Sequence, residues 1–206
     1  MLGRLIAVTV PSLVLALVGM LVHPSHLDSG TAQWWAVLHI ALLPVFPLVA
    51  AGFVVPLLGR PRGVATIVAW AAAFGYACFY TGLDAVAGIA AGTLVHHAAQ
   101  PVDRSLLVDP LYEVGNRLGH VGAGAFIVAA VATCAALWGR HGVRVVPGSV
   151  VLVIAGWSFL DSHIFWPRGV FTMLGFAVGF ALLLWGTAAR RPGRHLPQPD
   201  PARDPA

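Results

Sequence analysis

Six apolar runs, at residues 5–22, 34–58, 64–91, 120–138, 146–165 and 170–188, constrain this chain more than any other feature of its sequence. They are long enough to cross the hydrocarbon core of a bilayer, which takes about 20 residues per helix. Inside lipid every backbone N–H and C=O needs a partner within the protein, so only helices or closed barrels can span. Strand-like alternation is absent from the runs, which leaves helices. Composition agrees, since only 10% of residues are charged against about a quarter in soluble domains. The sequence therefore predicts an all-α, polytopic transmembrane helix bundle of six spans over residues 1–189. A Pro- and Arg-rich tail, residues 190–206 (RRPGRHLPQPDPARDPA), follows and is expected to be disordered.

Arginine placement predicts the orientation. On this six-span topology Arg4, Arg60, Arg62, Arg140, Arg144, Arg190, Arg191, Arg194 and Arg203 share one side, while Arg104, Arg117 and Arg168 lie on the other. The positive-inside rule then puts both termini in the cytoplasm. Trp34, Trp35 and Trp166 would mark the outer interface, and Trp138 and Trp185 the inner one. Residues 1–22 look like a signal peptide, but His23-Pro24-Ser25-His26 gives no small-x-small cleavage site, so a retained first helix is expected. The absence of lysine, with abundant Ala, Gly, Val and Pro, points to a high-GC bacterial genome and a bacterial cytoplasmic membrane.

Packing signals are those of a membrane bundle. Gly88 with Gly92, Gly115 with Gly119, and Gly175 with Gly179 repeat small residues at helical spacing, which permits close helix contact and leaves oligomerisation open. Pro44 and Pro47 would free backbone carbonyls in the second span. Cys78 and Cys134 sit in apolar runs and form no C-x-x-C pair, so buried free thiols are expected.

The polar residues are segregated. His23, His26, His39, His96, His97, His120 and His163 fall on the side opposite most arginines, with Asp28, Asp84, Asp103, Asp109, Glu113 and Asp161. Asp84 lies well inside the third run, flanked by Gly82, Ala85 and Gly88. An acid there costs about 2.5–3.5 kcal/mol on insertion scales and marks a functional site by default. His39 lies on the face shared with Trp35 and Leu43. Glu113, Arg117 and His120 share a helical face, with Asn116 four residues before His120. Asp161 and His163 would diverge by about 200° on one helix, so they converge only if the helix unwinds there.

Neutral imidazoles from several helices bind transition metals or haem iron, and bundle sites are built by such convergence. His39, His97 or His96, His120 and His163 come from four different helices and are the candidate metal ligands. His39 with His120 is the candidate cofactor-binding pair for haem. An outward-facing cavity lined by His39, Asp84, His120 and His163, holding a metal or haem in a redox, transport or assembly role, is the leading expectation. The alternative is a membrane-embedded cyclase or isomerase on a lipophilic, isoprenoid-like substrate, with Asp84 as general acid and His39 or His120 as its catalytic partner. A third is a structural membrane subunit whose histidines do nothing specific. There is no Gly-x-Ser-x-Gly elbow, no phosphate-binding glycine loop and no basic aromatic patch, so serine hydrolysis and nucleic-acid binding are not expected.

On His23-Pro24 closing the first run, Trp35-x-x-x-His39 opening the second, Leu83-Asp84-Ala-Val-x-Gly88 in the third and Asn116-x-x-x-His120 opening the fourth, the chain resembles small six-helix integral membrane proteins of unknown function from high-GC bacteria. The resemblance covers most of residues 1–188. It implies a fold and a topology and carries no catalytic assignment. In size and character the chain is also similar to small membrane-bound terpenoid cyclases, which protonate through buried carboxylates, though no motif matches residue by residue.

Overall fold

The computed structural model describes residues 1–60, 63–98 and 103–188. The tail at 190–206 lies outside the described residues, as do Arg62 and the other tail arginines. Ten α-helices are described: α1 (Leu2–Leu21), α2 (Ala32–Leu42), α3 (Val45–Leu48), α4 (Ala51–Val54), α5 (Val64–Leu83), α6 (Ala91–His97), α7 (Arg104–Leu107), α8 (Asp109–His141), α9 (Val146–Ser162) and α10 (Arg168–Ala188). A π-helical segment, Asp84–Ala90, joins α5 to α6 without a break. No strand occurs among the described residues.

Among the described residues five helical stretches are long and apolar enough to cross a membrane: Leu2–Leu21, Ala32–Leu57, Val64–His97, Asp109–Ser162 and Arg168–Ala188. The fourth contains two of the expected runs. Gly142, at φ 58, ends α8 in a conformation that favours glycine, and a short 3-10 turn leads into α9. α9 then packs back on α8 at Gly156, where a Cβ would come within 2.9 Å of Ile127 Cγ1. Phe74, Ile154, Trp157 and Val178 are more than half exposed along the helices. Such an apolar exterior suits lipid and not water.

Two expectations change in detail. The connection at 92–119 is largely helical: α6 runs on to His97, α7 follows, and α8 starts at Asp109 with Pro110 in its first turn. Proline suits that position because its missing N–H has no intrahelical partner there anyway. The second run is broken at Leu43–Pro44 and again at Val49–Ala50, two residues past Pro47, into α2, α3 and α4. Tyr76 Oη satisfies one loosened carbonyl by donating to Phe46 O at 3.1 Å.

α5 packs along α8, α9 along α10, and α10 against α1. The α9–α10 crossing is close enough that a Cβ on Gly148 would sit 2.5 Å from Leu183 N. An aromatic column fills the centre: Phe126 stacks on Phe176 (4.0 Å between centroids), and Tyr80 stacks on Phe159 (4.3 Å). Above it, a hydroxyl cluster ties the end of α9 to α10. Thr172 Oγ1 lies 2.8 Å from Ser158 Oγ and 3.0 Å from Ser162 Oγ, and donates to Arg168 O. Thr172→Val leaves Ser162 short of a partner and should lower stability by about 1–2 kcal/mol. Thermal unfolding in detergent would register a fall of several degrees, and an unchanged Tm would show the cluster to be dispensable.

Candidate metal centre

Three histidines meet at the end of the bundle above this column. One ring nitrogen from each of His23, His39 and His163 lies within 4.8 Å of the others. They come from three different places in the chain: His23 just beyond α1, His39 within α2, and His163 at the end of α9. His23 and His163 are half-buried, and His39 is buried.

Each imidazole is oriented from behind. His39 Nδ1 lies 2.7 Å from Trp35 O, one turn earlier in α2, and His23 Nδ1 lies 2.8 Å from Pro24 O. A carbonyl can only accept, so both Nδ1 atoms carry the proton, and in the neutral ring the lone pair is on Nε2. His163 Nδ1 pairs with Tyr80 Oη at 2.9 Å. Fixing one ring nitrogen so that the other presents its lone pair is the usual outer support of a metal-binding histidine. Burial pushes His23 down to about 4, helped by repulsion from His39 and opposed by its bond to Pro24 O. That ring is therefore neutral, and fit to bind a metal, at ordinary pH.

Local backbone departures make the convergence. α9 ends at Ser162, and His163 has φ 42, a left-handed conformation costly for a branched or bulky residue. Such strain concentrates at functional sites. Asp161 and His163 do not converge on one centre: Asp161 stays exposed on the helix while His163 turns inward. On the facing side the π-helical segment carries Gly88 against His39, where a Cβ would fall 2.3 Å from His39 Cδ2. Only glycine leaves room for the ring there. π-Turns of this kind recur at functional sites.

Asp84 opens the π segment and has no solvent exposure. Its Oδ1 is 3.8 Å from His39 Nε2, too far for a hydrogen bond. Both carboxyl oxygens and His23 Nε2 are buried without a hydrogen-bond partner among the described residues. The remaining such atoms, on Ser12, Trp70 and Thr133, belong to separate residues scattered through the bundle. Unmet acceptors thus gather where the imidazoles gather, and each would cost about 1–3 kcal/mol if it stayed unmet.

A cavity of about 260 Å³ adjoins the cluster, lined by His39 and His163 together with His26, Arg104, Tyr112 and Asn116. Arg104 Nη1 donates to Leu27 O at 2.6 Å, tying α7 to the loop that carries His23. Within that loop Asp28 Oδ1 accepts from the N–H groups of Gly30 and Thr31, fixing the turn into α2.

The structure brings together His39, His163 and Asp84 of the sequence candidates. His120 is exposed and faces Asp161 at 3.7 Å in an adjoining cavity of about 260 Å³, which His163 and Tyr80 also line and His39 does not. Asn116 lines both cavities. His97 is exposed, with Nδ1 at 3.0 Å from Thr93 O and its ring edge-on to His96. Glu113 and Arg117 form the expected surface ion pair. Trp34 Nε1 donates to Val22 O, whereas Trp35, expected beside it at the interface, is buried against His23 and His39. Cys78 and Cys134 are free thiols, Cys78 exposed and Cys134 only half-buried. Sequence reasoning left His23 and Tyr80 out of the ligand set. The signal for His23 was its place next to Pro24 at the close of the first run, a depth comparable with that of His39. Tyr80 had no signal beyond being a polar-tipped aromatic one turn before Asp84.

No family model, curated protein or solved structure matches this chain.

Proposed function

We propose that this is a multi-pass integral membrane protein that holds one transition-metal ion between His23, His39 and His163, with Asp84 supplying negative charge beside it. In this reading the chain crosses a bacterial cytoplasmic membrane six times with both termini inside, and the histidine end faces out. The observation that carries the proposal is the convergence of three imidazoles within 4.8 Å, two of them held through Nδ1 by backbone carbonyls. Neutral imidazole sets suit zinc, copper, iron or nickel. Two nitrogens bound to one such ion at about 2.1 Å lie no more than about 4.2 Å apart, so modest tightening would close the set. A bare ion accounts for three-way convergence better than haem, whose iron takes protein ligands only along its axis. Asp84, fully buried, lines neither of the two cavities beside the cluster. That favours an ion with a small exchangeable ligand over an isoprenoid chain protonated by Asp84. The role served is metal transport, assembly or redox, and the cavity supplies an open coordination position for any of them.

The test is metal content and its effect on stability. Protein purified without chelator should carry about one equivalent of a transition metal, as expected of a single site. After chelation, Zn²⁺ at 100 times its Kd should stabilise the protein by about 2.7 kcal/mol, a rise in Tm of roughly 5–10 °C for a chain of this size. Metal-free protein whose Tm does not respond to Zn²⁺, Cu⁺ or Fe²⁺ would overturn the proposal.

A further inference from the structure

The other end of the bundle carries a different chemistry. α1 begins with Arg4 in its first turn and reaches His23 at its far end, so the two ends are about 30 Å apart along one helix. At the Arg4 end a cavity of about 780 Å³ is lined by Arg4, by Arg60 after the second apolar stretch, by Arg140 and His141 at the end of α8, and by Trp185 of α10. Among the described residues no acidic side chain lines it.

Arg60 is held in place at the centre. Gly59, at φ 74, makes the turn that presents it. Arg60 Nε donates to Pro56 O at 2.8 Å and Nη2 to His141 Nε2 at 2.9 Å. Its remaining N–H groups are available to a ligand, since a guanidinium has five donors. Burial, then repulsion from Arg140 and Arg4, holds its pKa below the usual arginine range, so the three cations feel one another across the cavity. Guanidinium groups gathered without a countercharge among the described residues, in a fork geometry suited to phosphate, favour an anion.

We propose that Arg4, Arg60 and Arg140 form a binding site for a phosphate-ester anion. Trp185, two-thirds exposed on the rim, has the amphipathic ring that sits at headgroup depth. Basic pockets between membrane helices capture acidic lipid headgroups in this way. The site stands independently of the metal centre.

The test uses the full-length protein in neutral detergent, with dioleoylphosphatidylglycerol, dioleoylphosphatidylcholine and inorganic phosphate as probes. Phosphatidylglycerol should bind at least about tenfold more tightly than phosphatidylcholine, and the double variant Arg4→Gln/Arg140→Gln should lose about 25-fold, taking about fivefold per arginine. Both substituted side chains are exposed, so the variant should fold. Arg144→Gln, at the same end but outside the cavity lining, should lose less than about threefold, well under that per-arginine figure for two sites. If millimolar phosphate leaves the lipid bound, the headgroup is the ligand. If phosphate displaces it and shows the same losses in the double variant, the ligand is a soluble phosphate. Equal binding of the two lipids with no phosphate binding, or equal losses in Arg144→Gln and the double variant, would overturn the site.

Discussion

His39→Ala is expected to abolish the rise in Tm that Zn²⁺ gives the metal-free protein. His39 is the most buried of the three histidines and the one nearest Asp84. Altering an outer support of a metal site costs about 10–100-fold in affinity, and removing a ligand should cost at least the upper end of that range. A Kd raised 100-fold converts the stabilisation at a fixed Zn²⁺ concentration from about 2.7 kcal/mol to about 0.4 kcal/mol. The variant also leaves a cavity, so its metal-free Tm should fall. The difference between metal-loaded and chelated protein separates the two effects, because lost packing lowers both temperatures together. His23→Ala and His163→Ala should behave alike, while His97→Ala should keep the full response. His120→Ala should keep most of it, since His120 faces Asp161 across an exposed pair that contributes little. A full Zn²⁺ response in His39→Ala, or its loss only in His97→Ala and His120→Ala, would place the ion elsewhere.

Asp84→Asn should move two quantities in opposite directions. Asp84 is fully buried, neither oxygen has a hydrogen-bond partner among the described residues, and Oδ1 lies 3.8 Å from His39 Nε2, itself an acceptor. Two acceptors 3.8 Å apart in an apolar bundle are stable together only with a proton shared between them or a cation beside them. Without the ion, the isosteric amide is the better tenant, because it can donate to His39 Nε2 after a small shift and carries no ionisable group. Chelated Asp84→Asn protein should therefore be at least as stable as chelated wild type, by up to about 1–3 kcal/mol where the carboxyl is ionised and unmet. With Zn²⁺ present the order should reverse or close, since the amide no longer offsets the charge of the ion. Thermal unfolding of both proteins with and without Zn²⁺ measures all four states. A chelated variant less stable than wild type would mean that Asp84 serves as a structural hydrogen-bonding group.

The positions of the helices were legible from one dimension because hydrophobicity is a property of segments. A run such as 5–22 or 170–188 has to be a helix wherever its neighbours lie, and α1 and α10 follow those runs closely. Pro44 and Pro47 announced the break in the second run, and the glycine pairs announced close approaches, as at Gly115, where a Cβ would come within 2.7 Å of Ala87 Cβ. The segregation of imidazoles from arginines was likewise readable, since ends of helices are counted along the chain. The start of α8 was legible only in part: Glu113, Arg117 and His120 share a helical face, but the polar residues from Asp109 to His120 hide the helix from a search for apolar runs.

What the sequence alone determined is therefore the material and its rough sorting: an all-helical, lipid-compatible chain with most His and Asp counted toward one end and most Arg toward the other. Only the tertiary structure decided which imidazoles meet. Depth along a helix is additive in sequence, but rotation about its axis at a join is not. A single left-handed residue at His163, a π-turn at Asp84–Ala90 and the missing Cβ of Gly88 redirect side chains by large angles without changing hydropathy. Those three local choices bring His163, Asp84 and His39 together with His23, and leave His97 and His120 on the surface.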